Sequence, residues 1–238
     1  RDKLVTGVQT CALPISYNLG SGRGALLPID QAVAVATAND AARQDLERRL
    51  MAVLQSQAPA VAKEYACRKL AVIGSAESVP ALAALLTQSE PMYLARLALE
   101  AITAPEAGRA LRDSLPRLSG LDKAGAIQSL GMRRDAESVP ALAALLADSD
   151  ARVAGAAAAA LGNIGDAPAA RALQQFQPKA PEAVRNIVAD ALLACAEAMV
   201  GSGKKTEAQA IYKALAGSEQ PKHVKLAATR GMLLGAQK

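Results

Sequence analysis

Aromatic residues are nearly absent from this sequence: its 238 residues include no Trp, one Phe and four Tyr. A core without large rings has to be assembled from small and aliphatic side chains, and 51% of the residues are hydrophobic. Ala and Leu have high intrinsic helix propensity. Few segments alternate apolar and polar residues over the length of a strand, so the sequence predicts helices and no sheet.

Histidine and cysteine are too sparse for the common catalytic and metal sites. The chain has one His, His223, and three Cys, at positions 11, 67 and 195, without a CxxC motif. A His-based triad needs Ser and Asp partners, and a zinc site needs clustered Cys and His ligands. We therefore predict no catalytic residue, no metal site and no cofactor. Cys67 and Cys195 are expected to be small buried residues, and His223 a surface or hydrogen-bonded one.

Long apolar runs and runs of like charge are missing too. No apolar run is long enough for a transmembrane helix, which needs about 18 residues or more. The net charge of +5 and the isoelectric point of about 9.2 are mild for 238 residues. This balance permits a polyanionic partner without indicating one. The sequence predicts a soluble protein and assigns no compartment and no oligomeric state.

The first sixteen residues differ from the rest of the chain. Residues 5–15 are VTGVQTCALPI, a string that resembles a translated sequencing adapter and has no helical period. We expect residues 1–16 to be a sequencing artefact, to be set aside like a tag when the fold is considered. On that expectation the natural N-terminus is missing, and a signal peptide is neither indicated nor excluded.

An internal repeat organises the remaining sequence. The string AESVPALAALL occurs at residues 76–86 and again at residues 136–146, 60 positions later. A weaker unit of 29 to 31 residues runs through and beyond this interval. Its marks are two series of leucines, the first at Leu82, Leu111, Leu142 and Leu173 and the second at Leu70, Leu99, Leu130, Leu161 and Leu192.

A small residue stands four positions before each leucine of the second series: Ala66, Ala95, Ala126, Ala157 and Val188. Apolar residues at i and i+4 share one face of a helix. Each unit is therefore predicted to be a helix A, a turn, a helix B and a turn. Asp135 and Asp166 precede A helices, and Gly74 and Gly165 lie just past B helices, where glycine commonly ends a helix.

Residues 148–166, DSDARVAGAAAAALGNIGD, contain a Val, spaced Ala residues and an ALGxIG stretch followed by Asp. From Val153 to Asp166 this pattern resembles the short HEAT-like repeat of phycobilin lyases, although Ala154 replaces the usual Arg. The resemblance covers about residues 60–195 and implies an all-α fold. That fold is an α-solenoid of stacked antiparallel helix pairs, about six of them, in a right-handed superhelix of the HEAT/armadillo type.

The sequence is predicted to have four parts. They are the artefact at residues 1–16, an N-terminal helical flank at 17–58, the HEAT-like repeats at 59–200 and a C-terminal helix pair at 201–238, expected to be cut short. The flank should hold helices at about residues 25–38 and 40–55. In the second of them, Leu46, Leu50, Val53 and Leu54 are expected to face inward.

Two glycine-rich segments lack the pattern of a phosphate-binding loop. Residues 20–24 are GSGRG, and residues 201–206 are GSGKKT, with Lys205 where a P-loop needs Ser or Thr. We predict turns at both. Asp148 and Asp150 are expected to cap a helix rather than to act as an acid–base pair.

In arrays of the HEAT type, the B helices line the concave surface. The repeat places one residue of each B helix on a shared stripe, two positions before the leucine: Arg68, Leu97, Gln128, Ala159 and Asp190. The stripe has no row of positive charge and few aromatic neighbours, so we predict that no nucleic acid binds there. Arg68, Leu97, Gln128 and Asp190 are the candidate residues for contact with a protein partner.

We therefore predict a non-catalytic scaffold for protein–protein interaction, within a fragment of a larger multidomain protein. Its partner would be another protein or a covalently linked domain. The alternative is an accessory helical domain of a sugar-active, sulfatase-like or dehydrogenase-like enzyme whose catalytic domain lies outside this sequence. A bilin lyase and a nucleic-acid binder rank lower, because a repeat alone does not transfer an activity.

Overall fold

All the regular secondary structure in the described part of the chain is helical. The computed structural model describes residues 26–88, 92–217 and 219–236, and within them thirteen α-helices and no β-strand. The expected artefact at residues 1–16, with Cys11, and the GSGRG segment lie outside the described residues. Contacts divide the chain into two compact units, residues 1–117 and 118–238. The predicted four-part division rests on sequence character and stays a prediction.

The first unit has six α-helices among its described residues. They are α1 (Leu27–Ala36), α2 (Asp40–Gln55), α3 (Ala60–Ile73), α4 (Val79–Ala83), α5 (Met92–Ala101) and α6 (Pro105–Ser114). The B helices α3 and α5 pack together, and in the A layer α4 packs between α2 and α6. Helix α1 is shorter than predicted, because Asn39 is extended and its side chain accepts a hydrogen bond from the backbone N–H of Ala42 to begin α2.

The second unit has seven α-helices in its described part. They are α7 (Gly120–Met132), α8 (Val139–Leu145), α9 (Ala151–Ile164), α10 (Ala167–Phe176), α11 (Glu182–Gly201), α12 (Lys205–Gly217) and α13 (Lys222–Ala236). The B helix α9 lies between α7 and α11, α8 packs on α10 in the A layer, and α12 packs on α11 and α13. The GSGKKT segment is the turn between α11 and α12, as predicted, with Gly203 at φ 81°.

Both series of leucines lie in the core of their units. The four leucines of the A helices and the first four of the B helices are 0% exposed, and Leu192 is 1% exposed. The small residues four positions before the B-helix leucines are buried as well. Burial of one leucine side chain contributes about 1.5–3 kcal/mol. The repeated spacing is therefore the spacing of the core, as the sequence predicted.

Helix α2 carries a buried charge that the sequence analysis did not find. Leu46, Leu50, Val53 and Leu54 are buried as predicted, and Glu47 beside them is 0% exposed. A buried carboxylate is tolerated only when hydrogen bonds and a countercharge replace its hydration. Glu47 therefore has to be held by specific partners.

Those partners come from the start of the A helix that follows. Oε1 of Glu47 accepts hydrogen bonds from the Ser75 backbone N–H at 2.6 Å, the Ser75 hydroxyl at 2.8 Å and the Ser78 hydroxyl at 2.5 Å. Its Oε2 lies 3.4 Å from Nη1 of Arg43. Hydrogen bonds to an ionised group are the strong ones, so Glu47 fixes α2 against the turn that precedes α4.

The second copy of the eleven-residue string begins differently. The Ser138 hydroxyl donates to the backbone carbonyl of Asp135 at 2.6 Å. Asp135 directly precedes this A helix, as predicted, but its side chain makes no capping hydrogen bond to the 3-10 turn Ala136–Ser138 with which the helix begins. Identical sequence is therefore held by a buried carboxylate in one unit and by its own backbone in the other.

Other helix ends follow the predicted chemistry. Asp166 accepts from the Ala169 N–H at 2.8 Å and Asp150 from the Arg152 N–H at 2.9 Å, which satisfies backbone donors that a helix start leaves free. Gly165 ends α9 in the left-handed region, at φ 69°. A side chain is strained in that conformation, so glycine suits this position.

Candidate interaction surface

The B helices of the second unit share one solvent-facing side. Each of the helices α7, α9 and α11 has four positions on this side, spaced i, i+4, i+7 and i+11. The positions of one helix follow those of the previous one after 31 residues, and none of the twelve residues is buried. We call these twelve residues the B surface: Leu121, Gly125, Gln128, Met132, Arg152, Ala156, Ala159, Asn163, Ala183, Ile187, Asp190 and Ala194. Because α9 packs between α7 and α11, the B surface forms four rows across three neighbouring helices.

The B surface is mostly small or apolar. Leu121 is 71% exposed, Met132 59% and Ile187 37%. Five further positions are Gly or Ala, which project little above the helix backbone. Large apolar side chains around a low floor are typical of surfaces where another protein chain docks.

The two charged residues of the B surface are both engaged. Nη2 and Nε of Arg152 donate to Asp150 at 2.8 and 3.0 Å. These hydrogen bonds lower the pKa of Asp150 and raise that of Arg152. Oδ1 of Asp190 lies 3.0 Å from Nε2 of His223 in α13. His223 is thus a hydrogen-bonded surface residue, as predicted, and the B surface offers little free charge to a ligand.

The candidate partner residues divide between the two units. Gln128 and Asp190 are exposed in one row of the B surface, together with Ala159. In the first unit, Arg68 is exposed and lies 3.6 Å from Glu64, and Leu97 is half-buried. Their burial pattern agrees with a repeated helix face, and their role in binding stays a prediction.

Two glycines let the B helices of this unit approach closely. A Cβ atom on Gly131 would lie 2.7 Å from Cα of Ala160, and one on Gly162 would lie 2.9 Å from Cα of Ala191. Each glycine follows a leucine of the B series, and each alanine precedes the next leucine. The small residues four positions before the leucines were apparent in the sequence. This second contact was not predicted, although the 31-residue spacing could have indicated it.

A shallow cleft of about 430 Å³ lies at the C-terminal ends of the B helices. Its lining includes Met132, Asn163 and Ala194, which are the last row of the B surface, and also Arg134 and Glu197. The cleft extends the B surface toward the turns that follow the B helices. Its mixture of one cation, one anion and an amide gives it no strong preference for an ion of either sign.

Two acidic residues shape the start of α9: Asp150 caps the helix, and Asp148 holds the turn before it. Asp148 accepts from the Asp150 N–H at 3.0 Å and from Nζ of Lys123 at 3.2 Å. Both hydrogen bonds lower the pKa of Asp148, and the bond from the Asp150 backbone has the larger effect. A general acid near neutral pH needs a raised carboxyl pKa. The pKa values of Asp148 and Asp150 are shifted in the opposite direction, and Asp150 has the predicted capping role.

The two described cysteines are buried as predicted. Cys67 and Cys195 are 0% exposed and are not paired with each other. Burial raises the pKa of each thiol to about 12. A nucleophilic cysteine requires a lowered pKa and access to solvent, so these thiols serve as packing residues.

Among the residues that the structure describes, no group of three or more His, Cys, Asp or Glu side chains could hold a metal ion. The same residues include no helix that is long and apolar enough to cross a membrane. Two tyrosines lie on the B helices of the first unit. Tyr65 donates to Oδ1 of Asp30 at 2.6 Å, and Lys69 lies 4.8 Å from its ring centre. Tyr93 is 61% exposed, with Arg96 5.3 Å from its ring centre.

Helices paired in sequence, two buried leucine series and a repeat near 31 residues define an all-α repeat fold. The HEAT repeats family matches residues 109–193. Residues 109–193 therefore consist of HEAT repeats, and the fold class is the predicted α-solenoid. A search of curated proteins found no match to the sequence.

Solved structures of other proteins are similar to this chain. A structure of lipovitellin, described by its lipid–protein interactions, is similar with a TM-score of 0.60 and 16% identity, over 98% of this chain and 27% of that one. An engineered protein is similar with a TM-score of 0.48 and 21% identity, over 98% of this chain and 68% of that one. The complex of CpcE and CpcF of phycocyanin lyase from Nostoc is similar with a TM-score of 0.46 and 19% identity, over 97% of this chain and 88% of that one. This chain thus spans about a quarter of the lipovitellin chain.

Proposed function

We propose that this protein is a non-catalytic scaffold that binds a protein partner on the B surface. The observation that carries the proposal is the regular set of twelve unburied positions, of which only Arg152 and Asp190 are charged and both already have partners. When a partner removes water from such a surface, no charged side chain is left without a partner. Docking of neutral, aliphatic side chains is therefore favoured over capture of an ion.

The exposed apolar residues supply the attraction. Leu121, Met132 and Ile187 stand around the alanines of α9, so a partner segment can contact the low floor and the three larger side chains together. Burial of apolar surface contributes about 25 cal/mol for each Å² removed from water. The expected partner is a chain segment with aliphatic side chains and little charge where it meets the B surface.

The chemistry of the described residues favours binding over catalysis. The carboxylates near α9 have lowered pKa values and the two cysteines are buried with raised ones. Nucleic acid would require several cations along a groove, whereas the B surface has only Arg152, held by Asp150. An accessory role beside a catalytic domain would use the same surface within one longer protein, and this alternative stays a prediction.

Peptides selected for binding to the full chain test the proposal. A displayed library of peptides is enriched on the wild-type protein, and the selected peptides are then measured against Ala159→Arg and Ala144→Arg. Both alanines are exposed helix residues, but Ala159 belongs to the B surface and Ala144 to helix α8. We expect Ala159→Arg to weaken binding at least tenfold and Ala144→Arg to leave it unchanged.

If the selected peptides bind both variants as tightly as the wild type, the B surface is not the docking site. A short DNA duplex and a single-stranded RNA serve as further probes in the same assay. If the DNA or the RNA binds tightly and in a salt-dependent way, and Ala159→Arg strengthens this binding, the result would instead support a nucleic-acid surface.

A further inference from the structure

The positive charge of the chain is concentrated near its C-terminus. Residues 202–238 contain seven basic residues (Lys and Arg) and two acidic ones, both Glu. Residues 26–201 contain 17 basic residues and 19 acidic ones (Asp and Glu). The described part of this basic segment is the helix pair α12 and α13. A concentration of one sign of charge favours a partner of the opposite sign.

Helix α13 uses one face to pack on α12. Val224 and Ala228 are 0% exposed, and a Cβ on Gly231 would lie 2.6 Å from the ring of Tyr212. Nε2 of Gln209 donates to the Gly231 carbonyl at 3.1 Å. The close approach at Gly231 fixes which face of α13 is buried and leaves the opposite face in solvent.

That opposite face has exposed leucines. Leu226 is 71% exposed, Leu233 64% and Leu234 59%. Leu226 and Leu233 are seven residues apart, two turns along the same side of the helix. Leucines repeated at this interval are typical of helices that pair with another helix.

Cations surround the two leucines, and α13 has no acidic residue. Lys222 and Arg230 stand four residues before and after Leu226, and Lys225 precedes it. All three are exposed, and within the described ranges none of them forms an ion pair. The nearby His223 already bonds to Asp190. We call Lys222, Lys225, Leu226, Arg230 and Leu233 the α13 ridge.

We propose that the α13 ridge binds an acidic amphipathic helix of a partner protein. The leucines of that helix would pack on Leu226 and Leu233, and its Glu and Asp side chains would meet Lys222, Lys225 and Arg230. Flanking charges of this kind decide which helices pair. The ridge lies on a different helix from the twelve residues of the B surface, so the two proposals stand or fall separately.

Two other occupants fit the ridge less well. A second copy of the chain, related by a two-fold axis, would bring the same cations together across the interface. A lipid surface needs a broad apolar face, usually with aromatic residues. Here Thr229 and Arg230 stand between the leucines, and α13 has no aromatic residue.

A pair of synthetic peptides tests the charge preference. Both are amphipathic helices of about three heptads with identical leucines; one has Glu at the flanking positions and the other has Lys. Binding of each labelled peptide to the full chain is followed by fluorescence anisotropy at low and high salt. We expect the Glu peptide to bind at least tenfold more tightly than the Lys peptide, with the difference shrinking as salt is added.

Variants separate the ridge from other exposed apolar sites. Leu226→Ser with Leu233→Ser should reduce Glu-peptide binding at least tenfold. Leu27→Ser is the matched control, because Leu27 is 55% exposed and lies outside both the ridge and the B surface, and it should leave this binding unchanged. Replacement of Lys222, Lys225 and Arg230 by Glu should reverse the preference, so that the Lys peptide binds and the Glu peptide does not. Circular dichroism checks that each variant keeps its helix content.

Several outcomes would overturn the proposal. Failure of the Glu peptide to bind, or equal binding of both peptides, removes the charge argument. Dimers of the wild-type chain that Leu226→Ser with Leu233→Ser dissociates in sedimentation would assign the ridge to a second copy. If the chain binds phosphatidylserine vesicles in co-sedimentation with higher affinity than it binds the Glu peptide, the ridge would be assigned to a lipid surface.

Discussion

A Cβ atom on Gly162 of α9 would lie 2.9 Å from Cα and 3.0 Å from Cβ of Ala191 in α11. These distances are shorter than carbon atoms normally approach, so the two helices are in contact through their backbones. The same relationship joins Gly131 to Ala160 one repeat earlier. Close contact between B helices keeps the floor of the B surface continuous from one helix to the next.

Replacement of Gly162 by Ala should destabilise the protein even though Ala favours helix by about 0.8–1.0 kcal/mol. The added methyl group has to push α9 away from α11, and overpacking of this kind costs about 1–3 kcal/mol. We expect a net loss of stability, measured by urea denaturation followed by circular dichroism. Gly201→Ala is the control, because a Cβ there would meet nothing within 4 Å. A Gly162→Ala protein as stable as the Gly201→Ala protein would contradict the close contact.

Replacement of Leu161 by Asp should unfold the second unit at room temperature. Leu161 is 0% exposed, and a carboxylate there would be buried without a partner, a change that removes several kcal/mol of stability. Ala159→Asp, two residues away on the same helix but exposed, should keep the native helix content. Equal circular-dichroism melting curves for the two variants would show that the assignment of buried and exposed faces is wrong. Leu130→Asp should behave like Leu161→Asp.

The duplicated string predicts two different responses to the same change. Ser78→Ala removes a hydrogen bond to the buried carboxylate of Glu47 and should cost about 1.5–3 kcal/mol. Ser138→Ala removes a hydrogen bond to a backbone carbonyl and should cost about 0.5–1.5 kcal/mol. Urea denaturation of the two variants gives the comparison. An equal or larger loss for Ser138→Ala would contradict the role assigned to Glu47.

The buried thiols make stability depend on pH in the alkaline range. Cys67 and Cys195 have pKa values of about 12 in the folded chain against an ordinary value of 9.0. Folding raises these pKa values, so the contribution to stability is complete below pH 9 and is lost progressively between pH 9 and 12. Denaturation midpoints of the wild type should fall over this window more than those of a variant with both cysteines replaced by Ala. Parallel curves would contradict the raised pKa values.

The same thiols should resist alkylation. In a Cys11→Ser background, iodoacetamide at pH 8 should label neither Cys67 nor Cys195 in the native protein and both in urea, because the thiolate is the reacting form and both residues are buried. Mass spectrometry after a short pulse provides the measurement. Rapid labelling without denaturant would mean that these helices open locally.

Much of the fold was predictable because a repeat is a one-dimensional pattern. The spacing of Leu130 and Leu161 indicated the buried side of each B helix, and Asp166 marked a helix start by its capping chemistry. The site was predictable only in part: the stripe through Gln128 and Asp190 lies on an exposed face, but the sequence did not indicate the other nine positions of the B surface. The position of Asp135 before an A helix was predictable, but the absence of a capping hydrogen bond from its side chain was not.

By itself the sequence determined the helices, their order and the residues that form the core, because local propensity and apolar periodicity act along the chain. The tertiary structure alone decided that Glu47 is buried against Ser75 and Ser78, that Asp190 meets His223, and that Leu226 remains in solvent while Val224 does not. These facts depend on how helices distant in sequence are placed against one another. A helical period identifies an apolar face, but only the neighbouring helix determines whether that face is covered.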